Sequence, residues 1–188
     1  DSVYQMLGNV YGDLNKSELA IATYQEGLKK FPDSGKLYLE LGTTYLRLGK
    51  PDQAAAFYES GISREPQFPS NYFHAAQLFA RSTERIWAVL YGEVFLNLER
   101  NTKRSYDMSK LLFDTYNNSI PINSTTKAGV DFSRRAKSFA PERSKEPVPA
   151  FFERDFENTM SLATEKAAKA EGRGNLSVSA ISAIRRAF

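Results

Sequence analysis

The residues able to do chemistry are few in this sequence. The chain has 188 residues, no cysteine and one histidine, His74. Without thiols there is no disulfide framework, no thiolate metal site and no cysteine nucleophile. A lone histidine excludes a two-histidine metal site within the chain, and it would have to stand in one particular place to serve a Ser-His-Asp triad. The carboxylates Asp155 and Glu157 stand two apart, and on a helix such residues face different sides. Glu171-Gly172-Arg173-Gly174-Asn175 lacks the lysine and the hydroxyl residue of a phosphate-binding loop and follows no strand, so it reads as an interhelical turn. No nucleophile, base or metal set stands at motif spacing. The expectation is a protein without catalytic activity, metal or cofactor, acting by binding.

The elements that would position a binding surface announce themselves by repetition. Tyr4, Leu7, Gly8, Tyr11, Ala20, Tyr24, Gly27 and Pro32 recur 34 residues on as Tyr38, Leu41, Gly42, Tyr45, Ala54, Tyr58, Gly61 and Pro66. A third copy, Tyr72, Ala75, Ala76, Phe79, Ala88, Gly92, Phe95 and Arg100, keeps the large-small-aromatic rhythm and loses the last small residue and the proline. Within each copy Tyr4, Leu7, Gly8 and Tyr11, or their equivalents, fall on one face of a first helix, and Ala20, Tyr24 and Gly27 on one face of a second. Glycine inside a helix costs roughly 1 kcal/mol against alanine, so Gly8, Gly27, Gly42 and Gly61 imply close approach of helix backbones. Pro32 and Pro66 end the second helices. Gly49 suits a left-handed cap and Pro51 a helix start.

At these positions the chain resembles the tetratricopeptide repeat family, over residues 1–100. The resemblance implies an all-α fold, a right-handed superhelix of helix-turn-helix repeats (1–34, 35–68 and a degenerate 69–100), whose concave groove binds peptides or other proteins. In such repeats the first helix lines the groove through its second, fifth, ninth, twelfth and thirteenth positions. Here these include Gln5 and Asn9 in the first unit, Lys36, Leu39, Thr43, Leu46 and Arg47 in the second, and Phe73, Gln77 and Arg81 in the third. Leu39, Leu46 and Phe73 would be apolar anchors among hydrogen-bonding neighbours, unless the chain's own C-terminal helix covers them. Family members that clamp a chaperone's C-terminal carboxylate use lysines, asparagines and an arginine where this chain has Gln5, Asn9, Thr43, Phe73 and Gln77. Only Asn9 survives, and no such clamp is expected.

A fourth register matches at Tyr106 and Phe113 and fails at Ser109 and Lys110, so 101–118 reads as a capping helix. Residues 119–150 turn polar and proline-rich and read as a long connection, interrupted or not by a short helix near 128–138. Residues 151–171 and a last stretch capped by Asn175, with Val178, Ile181, Ile184 and Phe188 on one face, read as C-terminal helices. The start at a repeat's first position and the end on an apolar face suggest a fragment of a longer chain or a contact with another subunit, so self-association or complex assembly through these helices is the alternative function. The net charge is +3, with the basic excess diffuse over the C-terminal half. A nucleic-acid surface would normally be a denser basic stripe, and that reading ranks last. The longest apolar run, Ile86 to Tyr91, is far short of the ~20 residues of a membrane span. Compartment stays open, with a periplasmic or cell-surface site as suspicion only. Partner and oligomeric state are not encoded in any motif.

Overall fold

The computed structural model describes residues 1–120, 131–132, 156–162 and 164. Seven helices follow one another: α1 (Ser2–Asp13), α2 (Ser17–Lys30), α3 (Gly35–Arg47), α4 (Pro51–Arg64), α5 (Pro69–Ala80), α6 (Arg85–Leu98) and α7 (Lys103–Ser119). Residues 156–162 and 164 are also helical, and there is no strand among the described residues. The chain divides into two compact units, Asp1–Leu78 with Leu90–Met108, and Phe79–Val89 with Ser109–Phe188.

The first unit is built as the repeat dictates. The turn from α1 to α2 and the turn from α3 to α4 are the same turn. Asn15 and Gly49, 34 residues apart, take φ of 58° and 71°. The amides that follow them, Lys16 and Lys50, donate back to Tyr11 and Tyr45, which closes each helix with a left-handed cap. Pro51 opens α4 at its first turn, where a missing N–H costs nothing. Ala20 and Tyr24 of α2 form a core with Leu37 and Leu41 of α3, with Tyr4 and Tyr11 packed alongside. One repeat later Ala54 and Tyr58 form the corresponding core with Ala75.

The repeat glycines are close-approach positions, with a different neighbour from the one expected. A Cβ on Gly8 would fall inside the Tyr24 ring, and one on Gly42 inside the Tyr58 ring. A Cβ on Gly27 would stand 2.8 Å from Tyr4 Cβ and from Leu37 Cδ1. What demands glycine is therefore side chains from the neighbouring helices, not a helix backbone. Leu7 also departs from expectation. It is 44% exposed, whereas its equivalent Leu41 is fully buried against α2. Leu41 meets Ala20 and Tyr24 of α2.

In the second unit Phe132 is fully buried, although it lies in the polar, proline-rich connection. Its ring meets Tyr116 and Phe156 edge-on at 5.8 and 5.4 Å. Its amide donates to Glu157 Oε1 at 2.9 Å and its carbonyl accepts from the Ile86 amide at 3.1 Å. The Arg85 guanidinium donates to the Asp131 carbonyl. Asp131 and Phe132 are not helical, so a helix spanning 128–138 does not form through them. The remainder of that connection and the helix from Asn175 lie outside the described residues.

Candidate functional site

Two of the positions expected to line a groove, Asn9 on α1 and Thr43 on α3, are tied to the core by the repeat tyrosines. The Tyr24 hydroxyl donates to Asn9 Oδ1 at 2.5 Å. One repeat later the Tyr58 hydroxyl lies 3.4 Å from Thr43 Oγ1. Each tyrosine thus runs from the second helix, past the glycine of the first, to the ninth position of the unit. Burial and the nearby Glu40 carboxylate raise the Tyr24 phenol to about 12, and burial raises that of Tyr58. Both remain neutral hydrogen-bonding groups at physiological pH.

Glu40 is the residue that sequence reading missed. It is half-buried, accepts from Gln5 Nε2 at 2.8 Å, and makes no ion pair among the described residues. It stands at the sixth position of its unit, outside the five positions taken from the family's pattern. The signal available was its spacing, one unit plus one residue from Gln5. At the other end of the same face Arg47 donates to Thr44 Oγ1 at 3.5 Å, and its guanidinium lies over Gly12, where a Cβ would come within 3.0 Å. Lys36 is half-buried, and Leu46 is 40% exposed. Leu39 is half-buried against Ala54, Tyr58 and Ala75, so only part of it is presented.

Phe73 is not an open anchor. It is 8% exposed, with the Phe95 ring at 5.0 Å and the Arg104 guanidinium 5.3 Å above its centroid. Arg104 also lies 5.4 Å from the Phe95 centroid, donates to Ser70 Oγ at 3.0 Å and pairs with Glu99. It holds the second position of the fourth register, so continuing the count by one unit finds it. His74 packs between Tyr58 and Phe73. Burial, with Arg104 adding to it, lowers the His74 pKa, which favours the neutral ring. Gln77 is half-buried, and Arg81 is exposed and belongs to the second unit.

Nothing among the described residues brings three His, Asp or Glu side chains together as a metal site. No described helix is long and apolar enough to cross a membrane.

Residues 6–71 match the tetratricopeptide repeat family. No curated protein matches the chain. Solved structures do. The first tetratricopeptide domain of Spaghetti, bound to the HSP90 peptide SRMEEVD, is 21% identical with a TM-score of 0.52, over 60% of this chain and 90% of that one. The Yersinia enterocolitica type III secretion chaperone SycD, in complex with a peptide of the translocator YopD, is 21% identical with a TM-score of 0.55, over 61% and 90%. The yeast Sti1 TPR2B domain in complex with Hsp70 is 17% identical with a TM-score of 0.55, over 61% and 94%. At these identities the likeness establishes the fold, and it agrees with the all-α helix-turn-helix repeats built above.

Proposed function

From a chain whose N-terminal region is tetratricopeptide repeats, we propose a protein-binding scaffold, not an enzyme, whose α1/α3 face takes an extended segment of a partner. Three structural relatives are peptide or protein complexes, which supports a peptide as the partner class. A preformed face lowers the ordering cost of such a segment. The observation that carries the finer reading is the half-buried carboxylate of Glu40, which accepts from Gln5 and has no ion-pair partner among the described residues.

A half-buried carboxylate that accepts from one neutral amide favours an incoming cation or a cluster of N–H donors. It disfavours a peptide's acidic terminus. Asn9, the one residue shared with the carboxylate clamp, accepts from the Tyr24 hydroxyl through Oδ1, and Gln5, Phe73 and Gln77 stand where the clamp needs cations. The partner segment is therefore one that places a lysine or arginine at Glu40 and an apolar side chain at Leu46, with Lys36, Thr43 and Arg47 beside them.

A peptide array tests this. Ten-residue peptides pairing a basic with an apolar residue should be retained by the natural chain, lose about ten-fold in affinity on Glu40→Gln, and be lost on Leu46→Glu. Preference for peptides with acidic C-termini, insensitive to Glu40→Gln, would overturn the reading.

A further inference from the structure

Asp131 and Phe132 are held in the second unit as a bound peptide would be. Neither lies in a helix or a strand, yet every main-chain group of the pair is engaged. The Asp131 amide donates to the Ser119 carbonyl at 2.7 Å, and the Asp131 carbonyl accepts from the Arg85 guanidinium at 3.1 Å. The Phe132 amide donates to Glu157 Oε1, and the Phe132 carbonyl accepts from the Ile86 amide. These partners come from the end of α7, the start of α6 and the helical residues 156–162.

An ordinary core residue is delivered differently. Phe95 is as fully buried as Phe132, but it belongs to α6, whose interior main chain satisfies itself, so Phe95 brings only a side chain to its site. Around Phe132 the helices read main chain and side chain together. The side chain is read by Tyr116 and Phe156, which meet its ring edge-on, an arrangement that aromatic pairs favour. Main-chain hydrogen bonds that hold a segment, with a pocket for one of its side chains, are how peptides are recognised.

We propose that this is a second peptide-binding site, filled in cis by Asp131 and Phe132 and able to take instead a phenylalanine-bearing segment of another protein. Ile86 stands in the first turn of α6, where an amide has no partner inside its helix, so the carbonyl that meets it can come from any chain. The helices keep their own hydrogen-bond ladders when the pair leaves, because neither residue belongs to one. A tethered segment competes at an effective concentration of roughly millimolar, so the site is guarded in the natural chain and accessible when the Phe132 ring is gone.

Fluorescence anisotropy of a labelled hexapeptide with the sequence of residues 129–134, Gly-Val-Asp-Phe-Ser-Arg, reads the outcome on the full chain. Phe132→Ala should bind it about a hundred-fold more tightly than the natural chain does, and the same peptide with alanine in place of phenylalanine should not bind. Trp87, the only tryptophan, directly follows Ile86, and its emission should shift in Phe132→Ala and return when the hexapeptide is added. Leu46→Glu should change none of this, which separates the site from the α1/α3 face. Should Phe132→Ala lose its helical circular dichroism, Phe132→Leu keeps an apolar side chain in place and should gain about ten-fold over the natural chain. A folded variant that ignores the hexapeptide would overturn the proposal and leave Phe132 a core residue. So would equal binding by the natural chain and the variant, or equal binding of both peptides, since the contact would then lie elsewhere.

Discussion

The first two repeats and the third solve the same packing problem with the large and small residues exchanged. In the first two, a tyrosine sits at the twenty-fourth position and a glycine at the twenty-seventh, Tyr24 with Gly27 and Tyr58 with Gly61. In the third they are Gly92 and Phe95. The aromatic volume has moved three residues, a little less than one helical turn, along the second helix. The first helices adjust to match. Gly8 and Gly42, which the tyrosine rings demand, become Ala76, which is fully buried, in the repeat whose twenty-fourth position is Gly92. Phe95, also fully buried, reaches Phe73 instead. The exchange decides what each unit can show to a partner. In the first two, tyrosine hydroxyls arrive at the ninth position as hydrogen-bonding groups. In the third, the aromatic cluster is closed over by Arg104.

The sharpest way to break this contrast is to remove a tyrosine. Tyr58→Ala empties a fully buried site and should cost about 3–5 kcal/mol, as for other large-to-small core changes, read by urea denaturation. The coupling to glycine then tests the exchange itself. Gly42→Ala alone should be net destabilising, because overpacking costs about 1–3 kcal/mol and outweighs the ~1 kcal/mol gain in helix propensity. In the Tyr58→Ala background the ring is gone, and the same substitution should turn stabilising. A cycle that closes additively would mean that ring and glycine are independent.

A smaller effect belongs to the third repeat. Arg104→Ala should cost about 1–2 kcal/mol through the lost cation-aromatic contacts and should raise the His74 pKa, read by proton NMR. The His74 pKa is depressed in the fold, so its contribution to stability is present above about pH 6.5, the unfolded value, and is lost as pH falls through the folded one. Arg104→Ala should blunt that acid sensitivity.

The smallest change concerns Tyr24. Its phenol is raised to about 12, so its contribution is complete below the unfolded value near 10 and is lost as pH rises through 12. Glu40→Gln removes one of the charges that raise it and should lower that value, read by the ultraviolet titration of the phenolate. An unchanged titration would mean that burial alone sets it.

How much of this could be read beforehand follows from what repeats. The hairpins, the left-handed turn at Gly49 and the need for glycine at Gly42 recur at a fixed interval, and an interval is visible in a sequence. Glu40 does not recur, since its equivalent on α1 is Met6, so a pattern borrowed position by position passes over it. The burial of Phe73 depends on Arg104, which lies in a segment where the register is half lost. Phe132 is a single aromatic residue in a polar stretch, with no periodicity to show that it is an anchor. Burial set by one distant partner leaves no local trace.

The anchoring of Phe132 also bears on the order in which the chain can fold. The hydrogen bonds that knit the first two hairpins, Tyr24 to Asn9 and Tyr58 to Thr43, join residues 15 apart. The bond from Arg85 to Asp131 closes 46. Loop-closure entropy and contact order both make the shorter closures faster. A ribosome delivering the chain from its first residue would release both hairpins before Asp131 emerges, leaving Ile86 and Arg85 to wait for their partners. The second unit is then the late step of assembly, and a chain stalled before Phe132 would carry finished hairpins while Arg85 and Ile86, at the start of α6, still lacked the Asp131 and Phe132 carbonyls.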